Sequence, residues 1–196
     1  MPSTKTPTKP PTGKAFRTAA AFEAWMRKHH ASADEIWLRV YKKHSGVESI
    51  AITEALDIAL CWGWIDGIRK RFDEQSYLQR YTPRRAKSIW SQTNREHDAR
   101  LTKAGRMTPH GQKQVDAAKA DGRWARAYDG ARTSVVPEDL QAALDAAPEA
   151  RAFFGTISAS NRYAVLWRIQ TAVKPDTRAR RIEQLDRKST RLNSSH

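Results

Sequence analysis

The segment A-L-C-W-G-W-I-D-G, Ala59–Gly67, constrains this chain more than any other stretch. Just before it, Thr53 can cap a short helix, Glu54 suits the positive end of that helix in its first turn, and Leu56, Ala59 and Leu60 form a buried stripe. Gly63 interrupts the helix, because glycine enters left-handed backbone at little steric cost. Beyond the glycine the pattern changes to strand. Trp64–Phe72 leads through a turn at Asp73-Glu74-Gln75 into a further strand over Ser76–Thr82, and Pro83 ends the sheet. An earlier strand covers Glu35–Lys43, where Ile36, Leu38 and Val40 fall on one face and Trp37, Arg39 and Tyr41 on the other. Before that, Thr18 is positioned to cap a helix whose Phe22, Trp25, Met26 and His29 recur at helical spacing. The expected class is therefore α+β: a small antiparallel sheet with a hairpin, helices on one face, and a mostly helical C-terminal half.

That second half carries its own punctuation. Ser88 or Ser91 starts a helix closed by Gly105, and Thr108-Pro109 opens one that ends at Gly122, with proline at the first helical position. Pro137-Glu138-Asp139 opens another, with Leu140, Ala143 and Leu144 inward, and Pro148 opens a short one containing Phe153 and Phe154. Ser158 or Ser160 leads a longer helix with Val165, Leu166, Ile169, Ala172 and Val173 on its apolar face. Pro175 begins a last, basic helix.

The formal net charge is +14 over 196 residues, and it is uneven: Arg69–Asp129 holds fifteen Lys/Arg against seven Asp/Glu. Such a field favours anionic partners, whether small phosphorylated or carboxylated molecules or nucleic acid. A single cysteine, Cys61, excludes an internal disulfide and a multi-cysteine zinc site and suits a reducing compartment. The Pro/Thr/Lys-rich residues 1–15 read as a disordered tail without an apolar export segment, and no stretch has the ~18 apolar residues of a membrane span. A cytoplasmic location is expected. Residues 186–196, D-R-K-S-T-R-L-N-S-S-H, resemble the in-frame translation of a sequencing adapter and are set apart from the fold. The genuine C-terminus is then expected to lie beyond about Leu185. Between the two tails, residues 16–130 are expected to form the α+β domain and 131–185 a helical region.

The chemistry concentrates after the sheet. In T-P-R-R-A-K-S-I-W-S-Q-T-N, Thr82–Asn94, Arg84, Arg85 and Lys87 lie just before a helix start that offers Ser88, Ser91 and free backbone N–H groups. Guanidinium forks beside a helix N-terminus suit a phosphate or carboxylate. Trp90 could stack on a ring, and Asn94 lies one turn further on. Together with Trp64 and Asp66, these residues make an expected binding site. Plainer readings stand beside it: Ser91 as a cap, Trp90 as core, the arginines solvated, and Asp66 as a partner of Arg84 or Arg69. Two other functions remain open. Asp66 could act as an acid or base in an enzyme if apolar neighbours raise its pKa. Trp90, Trp124 and Tyr128 among basic residues could instead form a nucleic-acid platform. The histidines lack metal-ligand spacing, no phosphate loop or dinucleotide fingerprint occurs, and neither metal nor cofactor is expected.

The strand E-I-W-L-R-V-Y-K-K-H-S-G, the block A-L-C-W-G-W-I-D-G, the run P-R-R-A-K-S-I-W-S-Q-T-N and the C-terminal pattern S-x-S-N-R-Y-x-x-x-W-x-I from Ser158 occur in that order. The sequence resembles, on these motifs, the YdeI/OmpD-associated, or bacteriocin-protection, family, from about Phe16 to Leu185. The resemblance implies a part in tolerance of bacteriocins, antimicrobial peptides or related stress, and association with an outer-membrane porin. The lack of an export segment argues against direct porin contact here. No catalytic residue is implied. The resulting expectation is a non-enzymatic binder of an anionic or polar ligand.

Overall fold

The computed structural model describes residues 12–193, with side chains described to Leu185. The expected N-terminal tail lies outside the described residues up to position 11, as do positions 194–196 of the adapter-like segment. The chain divides into two compact units. One runs up to Ser88 and includes Glu96–Asp121; the other comprises Ile89–Arg95 and the chain from Gly122 onward.

The first unit holds the sheet. Helix α1 spans Ala19–His29, and the Thr18 hydroxyl accepts from the N–H of Ala21 at 3.2 Å, as its cap position requires. Strand β1 is Ile36–Tyr41, β2 is Trp64–Arg71 and β3 is Ser76–Pro83, in the antiparallel order β1-β3-β2. Lys14 bridges to Leu38 alongside β1, donating its N–H to Trp37 at 2.7 Å. Helix α2, Ile52–Cys61, starts slightly before Thr53. Glu54 explains the shift: its carboxylate reaches back to accept from the N–H of Ala51 at 3.1 Å, which fixes the first turn at Ala51.

Alternation along β1 decides which face is covered. Ile36, Leu38 and Val40 are buried against Phe22 and Met26 of α1 and Ala55, Ile58 and Ala59 of α2, with Trp64 and Tyr81 in the same core. On β2 only Trp64 is buried. The rest is a charged edge with a register shift between Asp66 and Arg69, features that discourage edge-to-edge pairing. Helix α3, Gln92–Lys103, continues into this unit, where Leu101 packs with Leu60 and Cys61, and α4 spans Pro109–Ala120 behind its Thr108 cap.

The second unit is helical: α5 Glu138–Ala146, α6 Pro148–Thr156, α7 Ala159–Gln170 and α8 Pro175–Asn193. Its core is Leu140, Leu144, Ala150, Phe154, Leu166, Ile169 and Leu185. The Ser158 hydroxyl caps α7, accepting from Asn161 at 3.2 Å. Val173 departs from the expected apolar face. It lies past the end of α7 and is 70% exposed.

Candidate functional site

In the first unit the W-G-W turn is forced into a close junction. Gly63 has φ +76°, and a Cβ there would lie 2.8 Å from the carbonyl oxygen of His110. Gly111 meets the other side, where a Cβ would come within 2.4 Å of the Cys61 carbonyl. Both positions therefore demand glycine, and both let the first turn of α4 press onto the end of α2. Thr108 adds a hydroxyl hydrogen bond to the Cys61 carbonyl, and the N–H of Arg84 donates to Gly63 at 3.0 Å. Four segments meet as a result.

They enclose a cavity of about 210 Å³. His30 at the end of α1, Trp62 and Trp64 of the turn, Arg84 after β3, and His110, Lys113 and Gln114 of α4 line it. The His30 and His110 rings lie 4.1 Å apart between centroids, and Trp62 stands 4.7 Å from His30 and stacks with His110 at 5.9 Å. Trp64 donates its indole N–H to the His30 carbonyl at 3.1 Å, which holds the α1 terminus against the turn. His30 Nδ1 is 3.1 Å from the Met26 carbonyl, so that nitrogen carries a proton. The Nε2 atom of His30 and the Nε1–H of Trp62 are buried and have no hydrogen-bond partner among the described residues. The lining thus brings two cations, Arg84 and Lys113, and the rings of His30, Trp62 and His110 beside the positive end of α4.

The first unit buries two further charged groups besides Arg84. Asp98 on α3 is 2% exposed and neither of its oxygens has a hydrogen-bond partner among the described residues. Burial pushes its carboxyl up to about 7, against the opposing pull of Arg84 and His97. Asp57, also buried, behaves in the opposite way. Burial disfavours its charge, but Arg100 at 2.7 Å and His97 at 2.6 Å together hold the carboxyl below its usual range. The sulfur of Cys61 is buried and its thiol is pushed up to about 11 by desolvation, so it is no nucleophile near neutral pH.

The expected site residues fall on both units. In the first, Trp64 is core and cavity wall, and Arg84 is a buried lining residue. Asp66 is exposed on β2 and does not line the cavity; desolvation raises its carboxyl above the usual range, against the opposing pull of a backbone hydrogen bond, Arg84 and Arg69. Arg85 and Lys87 are exposed, and the Ser88 hydroxyl accepts from the N–H of Arg85 at 3.0 Å. In the second unit, Trp90 is buried with its ring 4.8 Å from Trp124, Ser91 accepts from the N–H of Asn94 at 3.1 Å as the cap of α3, and Asn94 is buried. Sequence reading missed His30, Trp62, His110, Lys113 and Gln114. Only the glycines at 63 and 111, each opposite a partner's backbone, hinted that α2 and α4 meet.

Residues 14–114, which include every residue lining this cavity, match the family described as "Domain of unknown function (DUF8412)". The chain belongs to the DUF8412 family. Residues 133–189 match a second family, described as bacteriocin-protection, YdeI or OmpD-associated (OmdA), in agreement with the resemblance seen in the C-terminal pattern. No curated protein and no solved structure matches the chain. The DUF8412 portion thus supplies the W-G-W cavity, and the OmdA portion supplies helices α5 to α8. No helix among the described residues is long and apolar enough to cross a membrane, and no group of three or more His, Cys, Asp or Glu among them could hold a metal ion.

Proposed function

We propose that the first unit is a non-enzymatic receptor for a small anion, a phosphorylated or carboxylated molecule that fits beside Trp62 and between Arg84 and Lys113. The observation that carries this reading is the cavity of about 210 Å³ lined by two cations, Arg84 and Lys113, and by four aromatic rings, those of His30, Trp62, Trp64 and His110. It lies just below the 300–1,000 Å³ range common for drug-sized ligands, which suits a compact anion. A carboxylate or phosphate would take a hydrogen bond from the Trp62 indole and charge-assisted contacts from Arg84 and Lys113. Asp66, outside the cavity, is not part of the receptor. The proposed setting is the cytosol, where a lone reduced Cys61 would persist, and the proposed role is tolerance of bacteriocins or related stress, in keeping with the description of the family matched by residues 133–189.

Thermal unfolding at constant ionic strength tests the reading with inorganic phosphate, small sugar phosphates and dicarboxylates. At a hundredfold excess over Kd a bound ligand stabilises by about 2.7 kcal/mol. That is a rise in Tm of roughly 5–10 °C at about 2–4 °C per kcal/mol. Lys113 is exposed, so Lys113→Glu should keep the ligand-free Tm and lose the rise. No rise with any probe, or an equal rise in Lys113→Glu, contradicts the proposal.

A further inference from the structure

The second unit contains a larger cavity of different chemistry. It measures about 430 Å³ and lies between the segment preceding α5 and the turn joining α7 to α8. Its walls include Ile89, Val135 and Val173, which are 41%, 68% and 70% exposed. These are three of the seven large hydrophobic side chains exposed among the described residues, gathered on one hollow. Scattered apolar surface is ordinary, whereas several aliphatic side chains around one concavity mark a place where something apolar sits.

The polar groups of the same cavity are arranged rather than random. Arg123, Arg126 and Arg178 line it, against one acid, Asp129. That acid is committed: Gln170 donates to its carboxylate at 2.9 Å and accepts from its N–H at 3.2 Å, while Tyr163 donates to its carbonyl at 3.1 Å. Arg178 is fixed as well, with two hydrogen bonds to Asp139 at 2.6 and 2.8 Å and one to the Ile169 carbonyl at 2.9 Å. The floor is therefore preorganised, and the lining holds three arginines and one acid. Its volume falls within the range of small-molecule sites.

Aliphatic walls with a cationic lining complement a molecule that has an aliphatic chain and an anionic head. We infer that the second unit binds a small amphipathic anion, a medium-chain carboxylate or its equivalent, free in solution, with the chain against Val135 and Val173 and the head toward Arg123 and Arg126. The inference concerns a cavity separate from the one in the first unit and does not depend on it.

Titration calorimetry of octanoate into the full chain, below the concentration at which octanoate forms micelles, tests this. Butyrate supplies the head with a short tail, and 1-octanol supplies the tail without charge. Saturable binding of one octanoate is expected, with butyrate and 1-octanol each at least tenfold weaker. Val173→Asp and Arg126→Glu alter exposed residues and should each weaken octanoate at least tenfold while circular dichroism stays unchanged. Absence of saturable binding, 1-octanol binding as tightly as octanoate, or full affinity in Val173→Asp would each overturn the inference. So would a dimer that Val173→Asp disperses, which would give the patch to a second copy. Sedimentation with anionic phospholipid vesicles that octanoate fails to reverse would give it to a membrane surface and equally overturn the inference.

Discussion

Buried charge separates the two units. In the first, Asp57, Arg84 and Asp98 are withdrawn from water, and Arg84 lines the cavity at the W-G-W turn. In the second, no charged side chain among the described residues is buried, and ion pairs such as Arg151 with Asp145 and Arg178 with Asp139 are partly exposed to solvent. A purely apolar interior is the cheaper way to stabilise a fold, because withdrawn charges cost solvation that pairing only partly offsets. The second unit obeys that rule with Leu140, Phe154, Leu166 and Ile169. The first departs from it around Arg84, beside a hollow with unsatisfied ring nitrogens, and such departures are where ligand sites are found.

Apolar packing should not distinguish the units. Trp64→Ala in the first should cost about 3–5 kcal/mol, and Leu140→Ala in the second about 2–5 kcal/mol, read by denaturant unfolding. If one of these costs almost nothing, that core is not what holds its unit.

Acidity should distinguish them. Asp98 has a folded-state pKa of about 7, above the ordinary 3.8. Its contribution to stability is therefore fully present below about pH 4 and is lost as pH rises through 7. Asp98→Asn should remove that loss, stabilising the first unit at pH 8 by up to about 4 kcal/mol at roughly 1.4 kcal/mol per pKa unit, and by little at pH 4. Asp57 runs the other way: held below its ordinary value, it stabilises above the unfolded-state pKa and loses that stabilisation as pH falls. Amide hydrogen exchange monitored unit by unit at pH 4, 6 and 8 should place the Asp98→Asn effect in the first unit. An equal effect on the amides of α5 to α8 would erase the contrast.

Smaller effects sharpen it. Arg100→Met removes one partner of Asp57 and should cost only about 1 kcal/mol, because the Arg100 side chain is 54% exposed and water screens the pair. It should also move the acid limb of unfolding to higher pH. The caps Thr18 and Ser158 serve α1 and α7, one in each unit, and Thr18→Ala and Ser158→Ala should each cost about 1 kcal/mol with no pH dependence.

Legibility in the sequence depends on range. Period-two alternation at Ile36, Leu38 and Val40, the caps Thr18, Thr108 and Ser158, and the breaks at Gly63 and Gly122 are local signals, and they match the elements closely. Glu54 shifts the start of α2 because a side chain three residues into a helix can reorganise its first turn. The cavity is less legible. Trp64 and Arg84 stand out through their motifs, but His30, His110 and Lys113 come from opposite ends of the unit and carry no shared spacing. Grouping Trp90, Ser91 and Asn94 with Arg84 rests on chain adjacency, and those three belong to the second unit, where Ser91 caps a helix and Trp90 packs on Trp124.

The receptor reading is tested most directly by observing the indole and imidazole resonances of the full chain during a phosphate titration at constant ionic strength. Saturable shifts in the Trp62 indole N–H and in the His30 and His110 rings, with the Trp90 and Trp167 indoles unmoved, are the predicted result. Shifts confined to exposed basic side chains such as Arg85 and Lys87, or no saturation at any of the three rings, would contradict it.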